Sequence, residues 1–222
     1  MQNQFTVKQS ALKALALLAA KKDIRYYLCG VNVEFSPSIT RLIVTDGHKL
    51  GVYQIGAQNV GHGSFIIPAD VINALPKSGS YDPELTFTKC DGNATGWTIT
   101  GLPNSGQVFF QQVDGNFPDY KRVCSFKTDG LAASYNPEYL MQFLKVQHLL
   151  GGSKKCIPNI YQSKTTAGIV TLAGVPEFYG VVMQMKADSD GVTGASISAS
   201  FLTNLQADAP LAAAAQPEPV AA

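Results

Sequence analysis

The sequence has no paired cysteines, no strong charge of either sign and no long apolar run, and each lack removes a class of protein. Cys29, Cys90, Cys124 and Cys156 stand singly, without a CxxC pair or a neighbouring histidine run. Neither a zinc site nor a disulfide framework is signalled, and the four are read as reduced, buried thiols. The formal net charge is +1, so any hold on nucleic acid has to come from an uneven distribution of charge. No stretch reaches the roughly 20 apolar residues that span a bilayer. Met1-Gln2-Asn3-Gln4 lacks the positive start of a signal peptide, so a cytoplasmic protein is expected. Catalytic patterns are missing too. His48 lies near Asp46 in sequence, but no Ser or Cys nucleophile motif accompanies it. The Gly56–Gly63 loop lacks the Lys-Ser/Thr ending and following helix of a phosphate cradle. No catalytic residue, metal or cofactor is expected.

What is present is material for a packed core. Hydrophobic residues make up 45% and charged residues 15% of 222, a balance that argues against disorder over most of the chain. Phe5-Thr6-Val7 reads as a strand, followed by an Ala/Leu/Lys helix from Ser10, its candidate cap, to Lys21. Strands are expected at Arg25–Phe35, Arg41–Thr45 and Leu50–Ile55. The order then recurs: strand 64–67, a helix opened by Pro68 and running to Leu75, and strands at 85–89, 96–100 and 106–112. It recurs again as strand 131–135, helix Pro137–Leu150 capped by Asn136, and strands at 157–162, 167–173 and 178–186. The reading is an α+β chain of three repeated β-α-β-β-β modules. One module cannot bury both its helix face and its sheet face, so the modules must pack on one another. Residues 188–222 turn small, polar and then Ala/Pro-rich, a composition expected to be flexible.

Arg25-Tyr26-Tyr27-Leu28-Cys29-Gly30 and Val44-Thr45-Asp46-Gly47-His48-Lys49-Leu50 resemble paired segments in the middle domain of bacterial DNA polymerase III beta sliding clamps. Asp114-Gly115-Asn116-Phe117-Pro118-Asp119-Tyr120-Lys121-Arg122-Val123 is similar to the segment that closes that domain. Tyr179 to Lys186 resembles the family's C-terminal strand, with Gln184 where the family has proline. The resemblance implies the sliding-clamp fold, with helices on one face and antiparallel sheets on the other. It divides the chain into a complete clamp domain at 1–125, a half domain at 126–187 and the tail at 188–222. Family chains carry six modules and this one carries three, so the twelve-module ring of the family implies a homotetramer around double-stranded DNA.

The resemblance also implies a pocket for short clamp-binding motifs of polymerases and other replication proteins. Its walls would be Leu28, Thr45, Gly47, His48, Lys49 and Leu50; then Pro118, Arg122 and Val123; then Val181, Met183, Gln184, Met185 and Lys186. Apolar side chains there would take a Leu or Phe anchor, and methionines adapt to several ligands. Taken singly, Leu28, Val123 and Val181 read first as ordinary core residues, and Gly47 as a residue that serves a turn. Sequence-independent DNA contacts would come from lysines on or near the three helices: Lys8, Lys13, Lys21, Lys22, Lys77, Lys145, Lys154 and Lys155. For each, a solvated helix face is the alternative. A clamp loader is a further implied partner. A different reading of the same pocket is a decoy that forms no ring and competes with another clamp. In the tail, Gln206-Ala207-Asp208-Ala209-Pro210-Leu211 loosely resembles a clamp-binding peptide.

Overall fold

The computed structural model describes residues 3–77, 81–124, 134–162 and 167–185. In the first repeat, β1 (Gln4–Lys8) is followed by α1 (Gln9–Ala16) and by a meander of β2 (Gly30–Ser36), β3 (Ile39–Thr45) and β4 (Lys49–Gly56). The second runs β5 (Gly63–Pro68), α2 (Ala69–Ala74), β6 (Glu84–Lys89), β7 (Gly96–Thr100) and β8 (Val108–Gln111). The third supplies α3 (Pro137–Leu149), β9 (Asn159–Gln162), β10 (Ala167–Leu172) and β11 (Val175–Met183). Leu131–Ala133, the start of its expected first strand, lie outside the described residues, as do Lys186 and the whole tail.

The strands form two antiparallel sheets, ordered β1-β6-β7-β8 and β5-β2-β3-β4-β11-β10-β9. The first two repeats exchange their lead strands. β1 joins the sheet of repeat two, with Phe5 opposite Phe87, while β5 joins the sheet of repeat one, with Phe65 opposite Val33. Neither repeat is complete without the other's strand. Alternation along β1 buries Phe5 and Val7 and exposes Gln4 and Lys8, the expected two-residue period of a half-buried strand.

The exchange places aromatic rings from both repeats in one core. Phe5 stacks on Phe87 at 4.7 Å and on Phe35 at 5.2 Å, and Phe65 stacks on Trp97 at 4.0 Å. Burying a phenylalanine stabilises the fold by about 1.5–3 kcal/mol, and such ring pairs add about 0.5–1.5 kcal/mol. α1 lays Ala11, Leu12, Ala14 and Leu15 into the same core.

Helix ends explain two departures from the sequence reading. α1 begins at Gln9 and not at its expected cap Ser10. Repeat two serves its first donors: Gln9 N donates to Pro83 O at 2.9 Å, and Asp82 accepts from Ser10 N at 3.0 Å and from Ser10 Oγ at 2.6 Å. The helix stops at Ala16 and not at Lys21, because Leu17, Leu18 and Ala19 bond to residues three back and tighten into a turn. α3 is capped locally as expected, Asn136 Oδ1 accepting from Glu138 N at 2.9 Å.

The expected strand from Arg25 starts only at Gly30. Tyr26–Leu28 is a 3-10 turn, closed by Leu28 N donating to Arg25 O at 2.8 Å. The thiols are less hidden than expected: Cys29, Cys90 and Cys124 are half-buried and Cys156 is exposed.

The third repeat joins the first along β4 and β11, where Gly51 faces Gly180. A Cβ on Gly51 would lie 2.7 Å from Leu18 Cδ1, and one on Gly180 would lie 2.9 Å from the rings of Phe143 and Phe178. The glycine pair lets core side chains from both repeats reach the seam. Within repeat three, Phe143 meets Phe178 at 6.1 Å. The buried Gln147 donates to Ser153 O at 2.5 Å and Cys156 O at 2.7 Å, and accepts from Ala173 N at 3.1 Å. Residues up to Met185 form one compact unit.

Candidate functional site

The turn between β3 and β4 is built by its own side chains. Asp46 Oδ1 accepts from His48 N at 2.9 Å and Lys49 N at 3.0 Å. Thr45 Oγ1 accepts from Gly47 N at 3.1 Å and donates to Lys49 O at 2.7 Å. Gly47 has φ +93°, and a Cβ there would press on the Arg25 guanidinium at 3.2 Å. That guanidinium is anchored on Asp23, with Nη2 to Oδ2 at 2.7 Å. The side-chain and backbone hydrogen bonds from Arg25 hold the Asp23 carboxyl at about 2.

Against this turn lies the end of β11. Met183 N donates to His48 O at 2.8 Å, and Val181 sits opposite Leu50. Strand alternation then sorts the side chains by face. Val44 and Val182 point into the main core, whereas Ile43, Leu50 and Val181 form a separate apolar cluster on the other face of the sheet. Tyr120 closes that cluster, with Phe117, Cys124 and Tyr179 packed around it.

Two hydrogen-bonded fixtures hold the closing segment 117–124. Tyr120 Oη donates to Glu34 Oε2 at 3.0 Å, and Arg41 Nη1 donates to the same carboxylate oxygen at 3.0 Å. Tyr179 Oη donates to Cys124 O at 3.1 Å. Burial pushes the Tyr120, Tyr179 and Cys124 groups up from their ordinary values, so all three stay neutral near pH 7. On the closing segment and at the end of β11, apolar side chains are exposed: Val123 at 47%, Met183 at 41% and Met185 at 53%.

The structure thus brings Leu50 and Val181 into one apolar cluster, with Met183 on the Val181 side of β11 and Thr45 on the same side of its strand as Ile43; Val123 is exposed on the closing segment. Pro118 and Arg122 are exposed on the closing segment, and Gln184 continues β11 in an isolated bridge to Tyr135. Other residues of the expected wall lie elsewhere. Lys49 turns to the opposite face, where it is buried, ion-paired with Asp46 and 4.7 Å from the Tyr139 ring of α3. His48 stacks on the same ring at 6.2 Å. Leu28 is buried at 2% exposure inside its turn, outside the Leu50 cluster. Lys186 lies outside the described residues.

Sequence reasoning passed over Ile43, Tyr120, Tyr139 and Tyr179. Three of them were within reach: Tyr120 lies inside the Asp114–Val123 segment, Tyr179 opens the Tyr179–Lys186 segment, and Ile43 shares the period-two face of Thr45. Tyr139 lies outside every segment quoted above and carries no local signal.

Two open cavities adjoin other parts of the molecule, the second sharing Phe117, Pro118 and Tyr120 with the closing segment. One of about 1150 Å³ is lined by Lys8, Tyr53, Asp82 and Leu149 among others, and one of about 700 Å³ by Asn32, Glu34, Asp114 and Pro118 among others. Neither is lined by Leu50, Val181 or Met183.

Of the lysines, Lys8, Lys21, Lys22, Lys77, Lys145, Lys154 and Lys155 are exposed. Lys13 is engaged, donating to Leu75 O at 3.2 Å and Pro76 O at 3.1 Å behind α2. Burial, and then the neighbouring Lys77 charge, lowers its pKa. Among the described residues, no helix is long and apolar enough to cross a membrane, and no cluster of three or more acidic, His or Cys side chains could hold a metal.

Residues 3–119 match the family model described as DNA polymerase III beta subunit, central domain. The beta sliding clamp of Pseudomonas aeruginosa is 30% identical over 131 residues, and that of Proteus mirabilis 34% over 130 residues. Each alignment covers 54% of this chain and 33% of the relative. The matched part spans about a third of those curated relatives. The solved Pseudomonas aeruginosa clamp superposes with a TM-score of 0.61 at 19% identity, covering 83% of this chain and 67% of that one. The Thermotoga maritima beta subunit gives 0.61 at 16%, covering 84% and 66%. At these identities the superpositions show a shared fold.

Proposed function

Because the chain belongs to the DNA polymerase III beta subunit family, we propose that it works as a sliding clamp: it encircles double-stranded DNA without sequence preference and tethers replication proteins through a peptide-binding surface. No catalytic step belongs to this reading, and its place is the cytoplasm, on the nucleoid. The observation that carries it is the seam between β4 and β11. There, Ile43 of β3, Leu50 of β4 and Val181 of β11 form an apolar floor closed by Tyr120 of the 117–124 segment, with Met183 exposed at the end of β11. A polymerase motif with a Leu or Phe anchor suits such a surface, because an apolar side chain leaving water for it gains about 1.5–3 kcal/mol. The domain division follows: 1–125 as a whole clamp domain, 126–187 as half of one.

For DNA, the exposed lysines would give mobile phosphate contacts whose strength falls steeply with salt. With three modules per chain, the ring would be a homotetramer opened by a clamp loader. The test is twofold. A fluorescent peptide carrying a clamp-binding motif should bind, and Val181→Glu should weaken it by roughly 10- to 100-fold. Retention on nicked circular DNA, lost when the circle is cut, should follow. Peptide binding without topological retention would leave the decoy that competes for the same motifs; binding unaffected by Val181→Glu would remove the surface itself.

A further inference from the structure

The seven-stranded sheet carries one polar side chain that the fold leaves half used. Register partners run across the face that bears Ile43 as Ile66, Asn32, Ile43 and Val52, from β5 through β2 and β3 to β4. Partners opposite one another share a face, so Asn32 stands between apolar neighbours. It is 3% exposed. Its Oδ1 accepts from Ser64 Oγ at 3.3 Å, and its Nδ2 has no hydrogen-bond partner among the described residues. A buried donor left without a partner is costly. A leucine would suit the row better, so the fold alone does not account for this amide.

Asn32 lines the cavity of about 700 Å³, an ordinary size for a ligand site. Glu34, two residues on along β2, lines it too. Segment 113–120 forms another wall and is tied at both ends: Val113 N donates to Ile66 O at 3.0 Å, and Tyr120 Oη donates to Glu34 Oε2 at 3.0 Å. Between the ties, Asp114 and Asp119 are exposed. Three carboxylates therefore line the cavity against one ammonium, that of Lys121. Among the described residues, no three such groups lie close enough together to hold a metal ion. Spread carboxylates and a buried NH2 donor suit an extended organic ligand with a cation at one end and a carbonyl acceptor at the other.

We propose that this cavity is a separate binding site for an arginine or lysine of a partner protein, the cation held among Glu34, Asp114 and Asp119 and the adjoining backbone carbonyl accepting from Asn32 Nδ2. Arginine suits it better than lysine, because its planar fork can bond two carboxylate oxygens at once. Leu50, Val181 and Met183 take no part in the lining, so the site does not depend on a peptide anchoring at the apolar surface. Two of its carboxylates meet solvent, where salt screens their attraction, and binding weakens as salt rises.

The probe is N-acetyl-arginine amide, which carries both the cation and the carbonyl, titrated into the full chain at low salt and followed by NMR. Saturable shifts are expected at the Asn32 side-chain NH2 and at the backbone amides of Gly115 and Asn116, with affinity roughly tenfold or more weaker for the neutral N-acetyl-norleucine amide. Asp114→Asn, at an exposed position, should weaken the arginine probe by about threefold or more, and so should Asn32→Leu, its fold checked by circular dichroism. A clamp-binding motif peptide should not displace the probe, and the probe reads the cavity even where no such peptide binds. Equal binding of the norleucine probe, shifts confined to other parts of the chain, unchanged affinity in either variant, or displacement by the motif peptide would overturn the site.

Discussion

Repeats one and two differ from repeat three in where their missing parts come from. The first two supply each other: β1 crosses one way and β5 the other, and Asp82 of the second caps the helix of the first. The third caps its own helix with Asn136, staples its own loop with Gln147, and joins the first along the β4 edge without exchanging a described strand. Mutual exchange couples two sheets into one cooperative core, whereas edge joining extends one sheet by three strands. The same βα repeat thus serves once as half of a closed pair and once as an attachment.

The comparison breaks hardest at the aromatic centre. Phe5→Ala should cost about 3–5 kcal/mol in urea unfolding and loosen both sheets together, because the ring joins them. Phe143→Ala should cost a similar amount, but hydrogen exchange should rise mainly in β9–β11 while β2 and β6 stay protected. At the seam, Asp46→Ala leaves the buried Lys49 ammonium without its carboxylate and should cost about 3 kcal/mol. Backbone exchange at β4 and β11 would locate that loss. Asp82→Ala and Asn136→Ala should each cost about 1 kcal/mol; only the first should speed exchange in repeats one and two together.

The smallest effect belongs to Asp23. Its folded pKa is about 2 against an ordinary 3.8, so its depressed value contributes stability above pH 3.8 that is lost as pH falls through 2. The carboxyl should titrate near pH 2 by NMR. Its exposure keeps the effect on the melting temperature slight, and Asp23→Asn should show less of it as the pH approaches 2.

The order of elements was legible in the sequence because period-two alternation and the Pro/Asn helix starts are local signals. Tyr26–Leu28 was misread because two adjacent tyrosines mimic a strand, while the turn depends on Asp23, which accepts from Arg25 N at 2.8 Å. The exchange of β1 and β5 was out of reach, since Phe5 and Phe87 are paired by the whole fold and by nothing in their neighbours. Within the site, contiguity in a motif suggested Lys49 and Leu50 as one wall; adjacent strand residues face opposite ways, and only Leu50 reaches the apolar surface.

The crossing of β1 and β5 also makes the first two repeats inseparable as fragments. A piece ending after β4 would lack the strand that flanks β2, and a piece starting at β5 would lack the strand that flanks β6. Neither could be cut out and expected to fold by itself.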